Sequence, residues 1–194
     1  ITNLSELHET LEQGGAIFQS NSNAELIAYV VASQRVVTAS IEDAVLSAVK
    51  QLKGAFSMVL SSPSKLIGVR DPNGFRPLCI GKIGESYVLS SESCAFESLG
   101  AQFIRDVLPG EVVVIDEDGL HSYKENCTGK SSVCMFEYVY IARPDSVIDG
   151  VSVHNARKRA GAFLAEEYPV EADLVCGVPD SGVSAALGYA ERSG

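Results

Sequence analysis

No stretch of this chain concentrates Lys and Arg: 15 basic residues are scattered among 25 acidic ones, and the formal net charge is −10. A surface for nucleic acid or an anionic membrane needs the opposite pattern, so neither partner is expected. Missing too is any apolar run approaching the ~20 residues that span a bilayer. The five cysteines, Cys79, Cys94, Cys127, Cys134 and Cys176, form no CxxC pair, and no secretory segment precedes them. An odd, unpatterned set points to reduced thiols and a cytoplasmic setting rather than a disulfide framework. His8, His121 and His154 have no partner at metal-ligand spacing and read as solvated or core histidines. The chain opens on Ile1-Thr2-Asn3-Leu4, neither a start Met nor a signal peptide, and stops at Gly194 after a helix-like run. Both ends read as cut.

What is present is ordinary for a globular protein: 194 residues, 46% hydrophobic and 21% charged. The spacing of Leu4, Leu7 and Leu11 predicts a helix capped by Asn3 and stopped at Gly14-Gly15. Ala16–Ser20 is a strand candidate. Ser22 with Glu25 is a capping box for a second helix, and Ser40 with Asp43 opens a third that ends before Gly54. Short strands are then expected at 55–61, 65–69, 77–82 and 85–91, with a tight turn at Asp71-Pro72-Asn73-Gly74. A brief helix over Cys94–Leu99 and a hairpin of 111–115 with 120–124 complete an α+β layered domain.

After the polar stretch 125–132 the pattern changes. Cys134–Ile141 reads as a strand, 153–167 as a helix, Asp173–Val178 as an apolar strand and 182–192 as a helix. Strand–helix alternation belongs to a parallel α/β sheet. The domains are therefore placed at 1–128 and 129–194.

The segment with the clearest chemistry is Asp173–Gly182, a buried-strand pattern running through a Pro/Gly turn into a helix. Free N–H groups and the helix dipole at such a terminus attract phosphate oxygens. Asp180 repels phosphate unless a bridging Mg²⁺ intervenes, and Ser181 offers a hydroxyl ligand. The plainer alternative is that Asp180 or Ser181 merely caps the helix.

Three motifs carry a resemblance. Glu137–Gly150 (EYVYIARPDSVIDG), followed by Val153 and Arg157, is similar to the interdomain signature of the glutamine phosphoribosylpyrophosphate amidotransferases. Gly177–Gly182 (GVPDSG) resembles the pyrophosphate loop of that family's phosphoribosyltransferase domain. Arg70–Leu78, Ser91-Glu92-Ser93 and Arg105–Gly110 resemble its N-terminal-nucleophile glutaminase domain. The resemblance implies an αββα glutaminase domain, partial, and then the start of a type I phosphoribosyltransferase parallel sheet. It also implies a transferase of purine biosynthesis that hydrolyses glutamine with an N-terminal Cys. The ammonia then displaces pyrophosphate from phosphoribosylpyrophosphate, giving 5-phosphoribosylamine.

By the same resemblance Asp180, Ser181 and Gly182 bind substrate, with Ser181 at the Mg²⁺. Phe136 and Tyr140 line an ammonia channel, which must exclude water because protonated ammonia is no nucleophile. Period-two spacing places them on one strand face with Cys134 and Tyr138; a core strand face is the alternative. Cys134 falls at a position that ligates a [4Fe–4S] cluster in one branch of the family, and plain buried thiol is the alternative. Purine nucleotides as feedback inhibitors and a homo-oligomer are implied for full-length relatives.

The sequence also departs from the family. Residue 1 is Ile, so the catalytic Cys is not among these residues. Asn21-Ser22-Asn23-Ala24-Glu25 stands where the family has Thr-Ser-Asp-x-Glu, so Asn23 replaces the Asp that holds the ammonium of glutamine. Asn23 keeps an acceptor but loses the charge, and charge-assisted bonds are roughly twice as strong as neutral ones. These residues alone are expected to catalyse neither half-reaction. A non-catalytic relative, acting as an assembly or nucleotide-sensing module, is the alternative reading.

Overall fold

A leucine every three or four residues makes Leu4–Gln13 a helix (α1) that buries Leu7. Ser22 and Ser40 each use the side-chain oxygen as a cap, for α2 (Asn23–Arg35) and α3 (Ile41–Val49). The computed structural model describes residues 1–194 and divides into two compact units, Ile1–Phe75 with Val107–Ser132, and Arg76–Asp106 with Val133–Gly194.

In the first unit, β1 (Ser57–Ser61), β2 (Leu66–Arg70), β6 (Val112–Asp116) and β7 (Gly119–Tyr123) form an antiparallel sheet in the order β1-β2-β6-β7. Ile67 stands opposite Val114, and Val69 opposite Val112. All four are buried in one cluster with Val30, Val45 and Val49 from the helices. Each such side chain contributes roughly 1.5–3 kcal/mol by leaving water. Asp71–Gly74 forms the expected turn: Gly74 N–H donates to Asp71 O at 2.9 Å, Asn73 N–H to Asp71 Oδ1 at 2.9 Å, and Gly74 has φ +65°. Arg70 is fully buried, its guanidinium donating to the carbonyls of Val107 and Gly74 at 2.8 and 3.1 Å.

The second unit holds β3 (Cys79–Ile83), β4 (Ser86–Ser90) and β5 (Gln102–Asp106), antiparallel in the order β4-β3-β5, with α4 (Cys94–Leu99) ending at Gly100 in the left-handed region. Gly81 of β3 leaves room for Phe96 of α4: a Cβ there would come within 2.7 Å of the ring. A two-strand ribbon, β8 (Val147–Ile148) with β9 (Val151–Ser152), leads into α5 (Val153–Glu167) and later α6 (Ser181–Ser193). No helix is long and apolar enough to cross a membrane.

Several expectations need correction. Asn3 does not cap α1; its side chain donates to Gln51 O and accepts from Lys53 N–H, tying the helix start to the turn that follows α3. The Ser22–Glu25 box is half formed, because Glu25 turns to the N–H groups of Gln19 and Ser20. Residues 16–20 are not a strand.

Cys134–Ile141 is not a strand. Glu137–Ile141 is a π-helix, with Ala142 N–H donating to Glu137 O at 3.0 Å. Alternating aromatic and β-branched residues imitate strand chemistry, but tertiary bonds decide. Tyr138 Oη donates to Ile148 O, and Arg157 holds the carbonyls of Tyr138 and Ala142. Asp173–Val178 is unpaired, and Leu174 and Val178 are about four-fifths exposed (80% and 79%). Every paired strand in the chain is antiparallel. With 135–141 helical, Asp173–Val178 has no parallel neighbour.

Candidate functional site

The turn that opens α6 depends on Gly177. A Cβ there would meet Val183 Cα at 2.7 Å and Gly182 O at 2.8 Å, so only glycine lets the loop fold against the first helical turn. Gly182 N–H donates to Val178 O at 3.1 Å. Asp180 is exposed and its carboxylate makes no capping bond. The helix therefore leaves it available at the surface, contrary to the plain capping alternative.

Asp180 and Ser181 border a cleft of about 780 Å³ that also takes in Tyr140, Arg143, Pro144, His154, Ser184 and Leu187. His154 Nδ1 and the buried Ser184 Oγ share a hydrogen bond of 2.9 Å. Arg143 grips Asp145 in bidentate fashion at 2.7 and 3.0 Å. That bond holds the Asp145 carboxyl below its ordinary range. Arg157 is buried, donating to Tyr138 O at 2.6 Å and Ala142 O at 2.7 Å, and burial pulls its guanidinium pKa down. The cleft thus sets one ion-paired and one carbonyl-bound arginine beside a hydroxyl and a carboxylate at a helix start, and the last two suit a phosphorylated ligand held through a divalent cation.

Tyr140 shares this cleft with Asp180 and Ser181, and Gly182 follows in the first turn of α6. Phe136 and Tyr140 are 62% and 70% exposed, and their four-residue spacing places them on one helical face rather than a strand face. Phe136 does not line the cleft. Cys134 is half-buried, and no group of three or more His, Cys, Asp or Glu side chains gathers to hold a metal ion. Asn23 lies in the first unit, exposed, on a small hollow of about 160 Å³ with His8, Phe18 and Ser20. Beside it the Ser20 hydroxyl and the Gln19 N–H draw the Glu25 pKa down.

The grip of Glu92 on the 143–147 loop was not visible in the sequence. Its Oε2 accepts from Arg143 N–H at 2.8 Å and from Ser146 Oγ at 2.7 Å. The only signal was the polar triplet Ser91-Glu92-Ser93 between a strand and a helix.

The glutamine amidotransferase domain family matches residues 1–98. This chain belongs to that family. Over its whole length it is also similar to amidophosphoribosyltransferases, with 43% identity to that of Bacillus subtilis and 44% to that of Archaeoglobus fulgidus. It spans about 40% and 42% of the length of those curated relatives. Among solved structures it superposes with a TM-score of 0.92 and 43% identity on the glutamine phosphoribosylpyrophosphate amidotransferase of B. subtilis complexed with ADP and GMP. That match covers 98% of this chain and 42% of the other. A second structure, described as the allosteric regulatory enzyme of purine biosynthesis, matches all of this chain and 41% of its own at a TM-score of 0.93.

Proposed function

We propose that the protein carrying this chain moves ammonia from glutamine to phosphoribosylpyrophosphate, yielding 5-phosphoribosylamine, glutamate and pyrophosphate, the first committed step of de novo purine synthesis. The observation that carries this reading is the cleft at the start of α6, where Asp180 and Ser181 face Arg143 and His154. The whole-length likeness to amidophosphoribosyltransferases supports it. Water converts glutamine to glutamate and ammonia; the ammonia lone pair bonds the sugar carbon as the carbon–oxygen bond to pyrophosphate breaks.

Residues 1–128 would then belong to the glutaminase and 129–194 to the phosphoribosyltransferase. The positive end of the α6 dipole attracts the departing diphosphate, and the Ser181 hydroxyl orients it. Mg²⁺, which typically uses one or two carboxylates plus substrate phosphates, fits Asp180 and Ser181 and would neutralise charge on the leaving group. A [4Fe–4S] cluster needs about four thiolates, of which Cys134 would be one; residues 1–194 gather no group of three or more ligating side chains around it. Phe136 and Tyr140, exposed on one face, are the proposed ammonia-facing aromatics. ADP and GMP in the B. subtilis structure suggest purine nucleotides as regulators here. A homo-oligomer belongs to the same reading, and a cytoplasmic setting agrees with five free cysteines.

The test follows pyrophosphate and glutamate release by the whole protein from phosphoribosylpyrophosphate, glutamine and Mg²⁺. Equimolar release is expected, and it should stop without Mg²⁺. A whole protein that binds purine nucleotides but releases neither product would show a non-catalytic relative. Residues 1–194 by themselves are expected to release neither.

A further inference from the structure

The loop that walls the cleft is gripped from two directions. On one side Glu92 accepts from Arg143 N–H and Ser146 Oγ, while Ser93 Oγ accepts from Val147 N–H at 2.8 Å. On the other, Arg157 forks onto the carbonyls of Tyr138 and Ala142. Ser146, Ala142 and Arg157 are buried, at 0, 2 and 4% exposure, so neither grip can be exchanged for water without cost. The negative charge of Glu92 also steadies the buried Arg157 cation against desolvation. Between the two grips lie Tyr140, Ile141 and Arg143, all of which border the cleft. Glu92 lies inside the stretch that matches the glutamine amidotransferase family; Arg157 and the cleft residues lie outside it.

We infer that Glu92 and Arg157 are positioning residues that fix the Tyr140–Arg143 wall, so that ammonia passing Tyr140 meets the sugar carbon instead of water. The inference rests on the proposed function and assigns to these two side chains the coupling of its halves. A guanidinium suits the task because its rigid planar fork holds two carbonyls in a fixed geometry, which the rotatable ammonium of a lysine does not. Misplacing a reacting group by even 1 Å costs up to about a hundredfold in rate.

The experiment uses the whole protein and the variants Arg157→Lys, Glu92→Gln and Ser93→Ala, measuring glutamate and pyrophosphate in parallel. For Arg157→Lys, glutamate release should stay within about twofold of the parent while pyrophosphate per glutamate falls about fivefold, as expected for a displaced wall. Saturating ammonium chloride should recover much of the lost pyrophosphate. Ser93→Ala, which leaves both charges in place, should shift the ratio less but in the same direction. Equal loss of both products without recovery by ammonium would show a merely structural role and overturn the inference, as would unchanged ratios in all variants. If Arg157→Lys does not fold, Glu92→Gln and Ser93→Ala decide the matter by the same ratio. A parent protein with no glutamine-dependent pyrophosphate release would remove the proposed function itself, and the inference with it.

Discussion

Gly161 of α5 packs directly on Ala185 of α6, so closely that a Cβ at position 161 would overlap the Ala185 carbonyl oxygen. Gly188 makes the reciprocal approach to Lys158. Since α6 begins at Ser181, this pair of contacts sets where Asp180 and Ser181 stand relative to His154 on α5.

Gly161→Ala should therefore destabilise the second unit by about 1–3 kcal/mol, the usual cost of overpacking. Helix propensity argues the other way, since Ala is favoured over Gly by roughly 1 kcal/mol in a helix interior. The contact is with backbone, which cannot swing aside, so the steric cost should win. Denaturant melts of Gly161→Ala beside an exposed control, Ala160→Gly, would decide; a more stable Gly161→Ala would contradict the packing.

Local signals read well where the chemistry is local. The turn at Asp71–Gly74, the Ser40 cap and the limits of α4 and α5 follow from capping residues, glycine and periodicity. The π-helix was not legible, because Glu137–Ile141 has strand-like composition and is held by Arg157, which lies well along the chain. β5 was missed for a related reason: Gln102–Asp106 is a strand because β3 offers an edge to pair with. At the cleft, Asp180 and Ser181 could be read from the turn and helix pattern. The partnership of Glu92 with Ser146 depends on the fold, and no short-range pattern encodes it.

Acid should weaken the first unit. Glu42 is buried, and burial, the largest single influence, raises its carboxyl pKa, but the hydrogen bond and charge of Lys65, its own backbone N–H and the Ser40 hydroxyl together outweigh that and leave it below the ordinary 4.5. Lys65 also faces Asp116 at 3.4 Å, and Asp116 meets His121 at 3.0 Å. A carboxyl depressed in the folded state contributes stability that is fully present above its unfolded value and is lost as pH falls through the folded one. Glu42→Gln should thus lower the urea midpoint at neutral pH and flatten its decline below about pH 4.5. Parallel curves for parent and variant would mean the pair carries no acid sensitivity.

Under the proposed function, Asp180→Asn and Ser181→Ala should act on the diphosphate side alone. The loss of the only carboxylate at the start of α6 should raise the Mg²⁺ concentration needed for half-maximal pyrophosphate release by about tenfold or more. Ser181→Ala should cost about tenfold in kcat/KM for phosphoribosylpyrophosphate, the worth of roughly one hydrogen bond to a charged group. Glutamate release, measured separately, should be little changed in either variant. A Mg²⁺ dependence that Asp180→Asn leaves intact would move the cation site elsewhere.

Asn23 offers the sharpest test on the glutamine side. It occupies the first helical position of α2, exposed, beside a hollow that holds His8, Phe18 and Ser20. If the α-ammonium of glutamine binds there, Asn supplies a neutral acceptor where Asp would supply a charge-assisted one. Asn23→Asp should lower the glutamine KM of the whole protein by about tenfold, with kcat nearly unchanged, because the contact forms on binding and persists in the transition state. The substitution also places a negative charge in the first turn of α2, which favours the helix, so a fall in KM could not be credited to damage elsewhere. A glutamine KM already low in the parent and unmoved by Asn23→Asp would show that this hollow does not hold the substrate ammonium.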